Sequence, residues 1–182
     1  MEIVRTFELP NTKLLAIKYE GDELDALEML QKQWYSIEWL KEFFRKFHTD
    51  YFEKYGRSKL NSLVLQSRGL ADELFERLYE LAKNIESNAL AEFFNPLDNR
   101  ESDSEPYELQ KLKAKGKERK SFLRIYALRF KGTIIVTGGA IKLTDRMEER
   151  KHTNDELKKL ELVKSFLDKD NPDVEFSYLD VE

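Results

Sequence analysis

Two long alternating segments, SFLRIYALRF at 121–130 and TIIVTGGAIKLT at 133–144, are separated by only Lys131 and Gly132. So short a connection returns the chain beside itself and predicts an antiparallel strand pair. Alternation puts Leu123, Ile125, Ala127 and Arg129 on one face, and Phe122, Arg124, Tyr126, Leu128 and Phe130 on the other. Within the second strand, Gly138 and Gly139 mark a bulge, a bend or a close backbone approach.

Other segments read more locally. IVRTFELP and KLLAIKYE alternate on either side of Pro10 and Asn11, which predicts an N-terminal hairpin. Apolar residues from Leu24 to Phe47 recur at helical spacing, with an interruption near Tyr35 and Ser36, where Ser36 suits a second helix cap; Glu23, Asp25, Glu28 and Glu38 are assigned to solvent. The stretch 58–94 is helical again, with breaks expected at Gly69 and from Asn84 to Asn88. Its ADELFERLYELAKNI portion suits a helix lying over a sheet. A loop follows at 95–105, then a short strand in YELQKLK and a charged KGKERK turn. The last helix opens at Thr153, which with Glu156 fits a capping box, and carries Leu157, Leu160, Val163, Phe166 and Leu167. PDVEFSYLDVE, with Tyr178, closes the chain.

With 182 residues, 41% of them hydrophobic and only seven glycines and four prolines, the chain can bury one sizeable core. It has no cysteine and two distant histidines, so neither disulfides nor a zinc spacing is expected, and neither acidic run (22–28, 98–105) has a calcium-loop spacing. No apolar window reaches membrane-spanning length and the N-terminus does not read as a leader, so a cytoplasmic protein without a membrane partner is expected.

Charge supplies the functional clue. Between Lys111 and Lys131 stand nine lysines and arginines against one glutamate, a net +8 that leaves −12 on the rest of a chain of formal charge −4. A positive field so confined suits local recognition of RNA, a phosphate group or an acidic protein, and not coating by nucleic acid. The candidate phosphate contacts are Lys111, Lys113, Lys115, Lys117, Arg119, Lys120, Arg129 and Arg146, with strand-held Arg124 suited to bidentate contact and Lys142 to a neighbouring charge. GGAIKLT lacks the phosphate-loop pattern. His152 and Tyr126 are the candidate proton-transfer groups, each with a plain packing alternative; His48 is expected to pack among Phe44, Phe47, Tyr51 and Phe52.

The order of elements over about residues 60–168, with Leu112 and Lys113, then Arg124, Ile125 and Tyr126, then Gly139, Lys142 and Thr144, resembles the RelE/ParE toxin superfamily, especially its HigB-like members. The resemblance implies an α+β fold, a small antiparallel sheet packed by helices, spanning 56–182, to which residues 1–55 add an N-terminal hairpin and helical extension packed with it as one unit. It also implies a toxin of a toxin–antitoxin pair: a metal-independent, cofactor-free endoribonuclease acting on mRNA bound to the ribosome, with a cognate antitoxin as partner. In that reading Arg124 stabilises the phosphate transition state, Lys113 and Lys142 bind the backbone, and Tyr126 or His152 moves the proton. The chain is longer and more acidic than minimal members of that superfamily. Two alternatives stay open: a non-catalytic RNA- or acidic-protein-binding module on the same fold, and a structural or regulatory protein, a possible homodimer, whose aromatic set around Trp34, Trp39, Phe43 and Phe44 matters more than a solvated basic hairpin.

Overall fold

The computed structural model describes residues 1–5, 13–84, 88–97, 109–116 and 121–168. A long hairpin forms its middle: β5 (Leu123–Phe130) and β6 (Thr133–Ile141) pair antiparallel, as their alternation predicts. On one side β4 (Lys111–Ala114) adds antiparallel to β5, followed by the two-residue β3 (Asn95–Pro96). On the other side β2 (Leu14–Lys18) pairs with β6 in parallel and carries β1 (Glu2–Arg5) antiparallel on its outer edge. The sheet order is therefore β1-β2-β6-β5-β4-β3. This corrects the expectation of a small antiparallel sheet: β1 and β2 pair antiparallel, as the N-terminal hairpin predicts, and they extend the sheet through a parallel join to β6. What stands is a mixed sheet packed by helices, an α+β architecture.

Among the described residues, five helices lie between β2 and β4 in sequence. Helix α1 (Ala26–Tyr35) begins at a capping box, with the Asp25 carboxylate accepting from the Leu27 and Glu28 amides and the Glu28 side chain accepting from the Asp25 amide. Asp25 is buried, against its assignment to solvent, because the cap turns inward. Ser36 caps α2 (Ile37–Lys46) as its position suggests, by accepting from the Trp39 amide at 3.2 Å. Then come α3 (His48–Tyr55), α4 (Leu60–Lys83) and α5 (Ala89–Phe93). No break occurs at Gly69: α4 runs through it, since one glycine costs a helix only about 1 kcal/mol, and Leu63, Leu70, Leu74 and Leu78 bury a continuous stripe. His48 stays exposed, edge-on to Phe52.

Two cores result. The larger lies under α1, α2 and α4 and unites Leu14, Trp34, Phe44 and Leu74 with Phe122, Leu123, Ile125 and Ile141. Phe122, placed by alternation with Tyr126, instead enters this larger core just before β5 begins. The smaller, on the opposite sheet face, is closed by α6 (Lys151–Asp168), whose Leu160, Val163 and Leu167 pack with Tyr126, Leu128 and Ile135. Helix α6 starts two residues before the predicted cap. Thr153 lies inside it with its hydroxyl donating to the Met147 and Arg150 carbonyls, and Glu156 is buried, so the Thr-x-x-Glu spacing is not a capping box.

The paired glycines do mark a bulge. Tyr126 faces Gly138 but Ala127 faces Val136, leaving Thr137 as the extra residue of β6. Pro10 and Asn11, most of the 95–105 loop and the C-terminal segment with Tyr178, for which the sequence predicts a turn, a loop and a closing segment, lie outside the described residues.

Candidate functional site

The side chains singled out by sequence separate into three groups. The first is a cluster of cations drawn from distant parts of the chain: Lys54 on α3, Lys113 on β4, Arg124 on β5 and Lys142 just past β6. Their proximity shows in the Lys142 ammonium, whose pKa falls below the ordinary lysine value first through burial and then through the charges of Lys54, Arg124 and Lys113. Arg124 is half-buried, with one guanidinium nitrogen donating to the Ser121 and Leu123 carbonyls at 2.8 and 2.7 Å. Lys113 donates to the Leu97 carbonyl, while Lys142 donates to the Asp145 carbonyl. Lys54 pairs at 2.6 Å with the open Asp145 carboxylate, which it holds below the usual carboxylate range.

The second group does not join that cluster. Tyr126 is shut beneath α6, burial pushes its phenol above the ordinary tyrosine range, and its hydroxyl has no hydrogen-bond partner among the described residues. Arg129 is 7% exposed, on the larger-core face of β5, which removes it from a surface phosphate site. Lys111 pairs with Glu161 of α6. Lys115 and Arg146 are exposed, at the end of β4 and in the loop before α6. Lys117, Arg119 and Lys120 lie outside the described residues.

His152 belongs to a third place. Strand β2 accompanies β6 only from Ile134 to Val136, leaving the following stretch of that edge unpaired. Because the Lys142 amide points across to the Phe122 carbonyl on the β5 side, Gly139 and Ile141, three and one residues earlier, turn their backbone groups to the free edge. Here a cleft of about 770 Å³ opens. One wall is Trp34, Trp39, Phe43 and Phe47 from α1 and α2, and the other is His152, Asp155, Glu156 and Lys159 from α6.

Both titratable groups at its base are unusual. A carbonyl can only accept, so His152 Nε2, 2.9 Å from the Ile141 oxygen, carries the proton. Burial depresses the imidazole pKa, so the neutral ring presents Nδ1 as an acceptor, and that atom is buried with no partner among the described residues. Glu156 Oε1 accepts from Lys159 at 2.7 Å, whereas Oε2 is fully buried with no side-chain hydrogen-bond partner among the described residues. Burial raises the Glu156 pKa, against the opposing pull of Lys159 and the Gly139 amide. This carboxylate lies where a side chain at residue 138 would go: a Cβ on Gly138 would stand 2.0 Å from Oε2.

From the sequence, Trp34, Trp39, Phe43 and His152 stand out, whereas Glu156 reads only as a capping-box partner and the cleft itself is not foreseen. The usable signal was the i, i+4 spacing of His152 and Glu156, which places both on one helix face. Among the described residues, no group of three or more His, Cys, Asp or Glu is arranged to hold a metal ion, and no helix is long and apolar enough to cross a membrane.

Comparison of the chain with models of known protein families, with curated proteins and with solved structures returned no match.

Proposed function

We propose that the protein is a non-catalytic binding module that takes single-stranded RNA by its phosphates on the cluster of Lys54, Lys113, Arg124 and Lys142. The observation that carries this reading is convergence: Lys54, Lys113 and Arg124, from three separate elements, come close enough to Lys142 for their charges to add to burial in lowering its pKa, with Asp145 opposing them. Cations held together against their own repulsion suit an anion that bridges them. Arg124 and Lys113 are set in adjacent strands, so their spacing is fixed by the sheet.

Cleavage of ribosome-bound mRNA, which the RelE-like resemblance implies, needs a proton-transfer group beside Arg124. Tyr126 is enclosed, and His152 lies along the free edge of β6, across that strand from β5. Binding is therefore the better-supported activity.

Fluorescence anisotropy of a labelled single-stranded RNA across a salt series tests it. Binding should weaken with salt, and each of Lys54→Gln, Lys113→Gln and Lys142→Gln should lower the salt slope by about one. Asp145→Asn, which removes the carboxylate competing for Lys54, should tighten binding. Salt-independent binding, or variants indistinguishable from the parent, would exclude the cluster as the RNA site. A parallel assay in a ribosome-containing translation mixture separates the two activities: mRNA cleavage abolished by Arg124→Ala together with Lys142→Ala would replace binding by the toxin reading.

A further inference from the structure

The cation cluster accounts for phosphates alone, and phosphates are common to single strands and duplexes. What a single strand offers besides is the open face of each base, for which an aromatic side chain beside the cations is the matching surface. Tyr55 stands in that place. It is the last residue of α3, next in the chain to Lys54, and the Gly56 amide closes the helix directly behind it by donating to the Phe52 carbonyl at 3.0 Å. Its ring meets that of Phe122 at 5.9 Å between centroids and 65° between planes. Phe122 is itself framed by the cluster: its carbonyl accepts from the Lys142 amide at 2.8 Å, and the carbonyls on either side of it, of Ser121 and Leu123, hold the Arg124 guanidinium. Burial lowers the Arg124 pKa while Tyr126 and then Tyr55 act against it, which brings the Tyr55 hydroxyl within electrostatic reach of the guanidinium.

The ring is fixed before any ligand arrives. Tyr51, buried in the larger core, backs it at 5.1 Å with a tilt of 33°, and Phe122 is wholly buried. Tyr55 itself stays half-buried, so part of its surface meets solvent beside the exposed Lys54. A side chain held by core neighbours loses little freedom on binding, and every base has a face to lay on it.

Resting on the RNA-binding reading, we propose that Tyr55 is the base-stacking platform of that site: it takes the base of a nucleotide whose phosphate lies on Lys54 and Arg124, and it makes the site prefer single-stranded RNA to duplex.

Anisotropy titrations of the full chain with a labelled single-stranded RNA and with the duplex of the same sequence, and competition by inorganic polyphosphate, test this. Tyr55→Leu, checked for folding by circular dichroism, should weaken the single strand about tenfold, the loss of one stack. The salt slope should stay as it is, because no phosphate contact is lost. Duplex and polyphosphate should bind this variant as they bind the parent, and Tyr55→Phe, which keeps the ring, should hold the single strand as the parent does. Stacking is overturned if Tyr55→Leu binds the single strand like the parent, if it loses single strand, duplex and polyphosphate in equal measure, or if Tyr55→Phe is as weak as Tyr55→Leu. The two readings fail differently. A parent without salt-dependent binding removes the RNA site and the platform with it, whereas binding that falls with Lys54→Gln, Lys113→Gln and Lys142→Gln but ignores Tyr55→Leu removes the platform alone.

Discussion

Gly139 has no space for a side chain: a Cβ there would stand 2.5 Å from the Arg124 carbonyl oxygen and 2.8 Å from a Leu30 methyl. The neighbour is backbone on one side and a core leucine on the other, so neither yields freely. Gly139→Ala should destabilise the protein by about 1–3 kcal/mol in urea unfolding, and a loss under about 0.5 kcal/mol would show that β5 and β6 can part without cost. His152 gives a pH signature. Its pKa is lowered in the fold, so its contribution to stability is complete above the ordinary histidine value of 6.5 and is lost as pH falls from there through the lowered value. Melting temperatures should therefore drop below that pH in the parent and drop less in His152→Gln; parallel profiles would remove the histidine from this role. Gly138 and Gly139 were legible as a bulge because adjacent glycines in an apolar strand have few other uses. Glu156 was misread, since Thr-x-x-Glu is a local pattern, whereas the carboxylate's real position depends on the side chain missing at Gly138 in strand β6.

Among the elements, α1 depends on its first turn. Asp25→Ala removes an acceptor used by two amides and the reciprocal bond from Glu28, and should cost about 1 kcal/mol in chemical unfolding. No measurable loss would show that water replaces the cap. On the opposite face, Leu160 of α6 is wholly buried against the sheet, so Leu160→Ala should cost about 2–5 kcal/mol; a loss below 1 kcal/mol would mean that α6 repacks. The long strands and amphipathic helices were readable because each repeats its own period over many residues. Helix starts at Ala26 and Lys151 were harder, being set by which side chains turn inward once the sheet is present.

For the molecule as a whole, β2 sits beside β6 near the middle of the sheet, and Leu14, Ala16, Trp34 and Phe44 share one core with Leu123, Ile125 and Ile141. Cutting at residue 55 would strip one side of β6 and open that core. A chain spanning 56–182 should show no cooperative unfolding transition by circular dichroism, and a sharp transition would establish it as a separate folding unit. The parallel join between β2 and β6 was not legible: alternation identifies strands, but it does not say which will be neighbours when more than a hundred residues separate them. The cation cluster was partly legible, because Lys113, Arg124 and Lys142 fall near one another in sequence, while Lys54 arrives only through the packing of α3.

The extra residue at Thr137 makes β6 two strands in opposite phase. Before it, Ile134 and Val136 face the larger core; beyond it that duty passes to odd-numbered positions, as at Ile141, while Ala140 faces α6. The strand thus has a frame of its own, written in faces instead of codons. Deleting Thr137 alone would shift everything downstream by one, driving Ile141 toward α6 and carrying the Ile141 carbonyl away from His152. Substitutions in this strand can be judged singly, but insertions and deletions act on the whole second half at once.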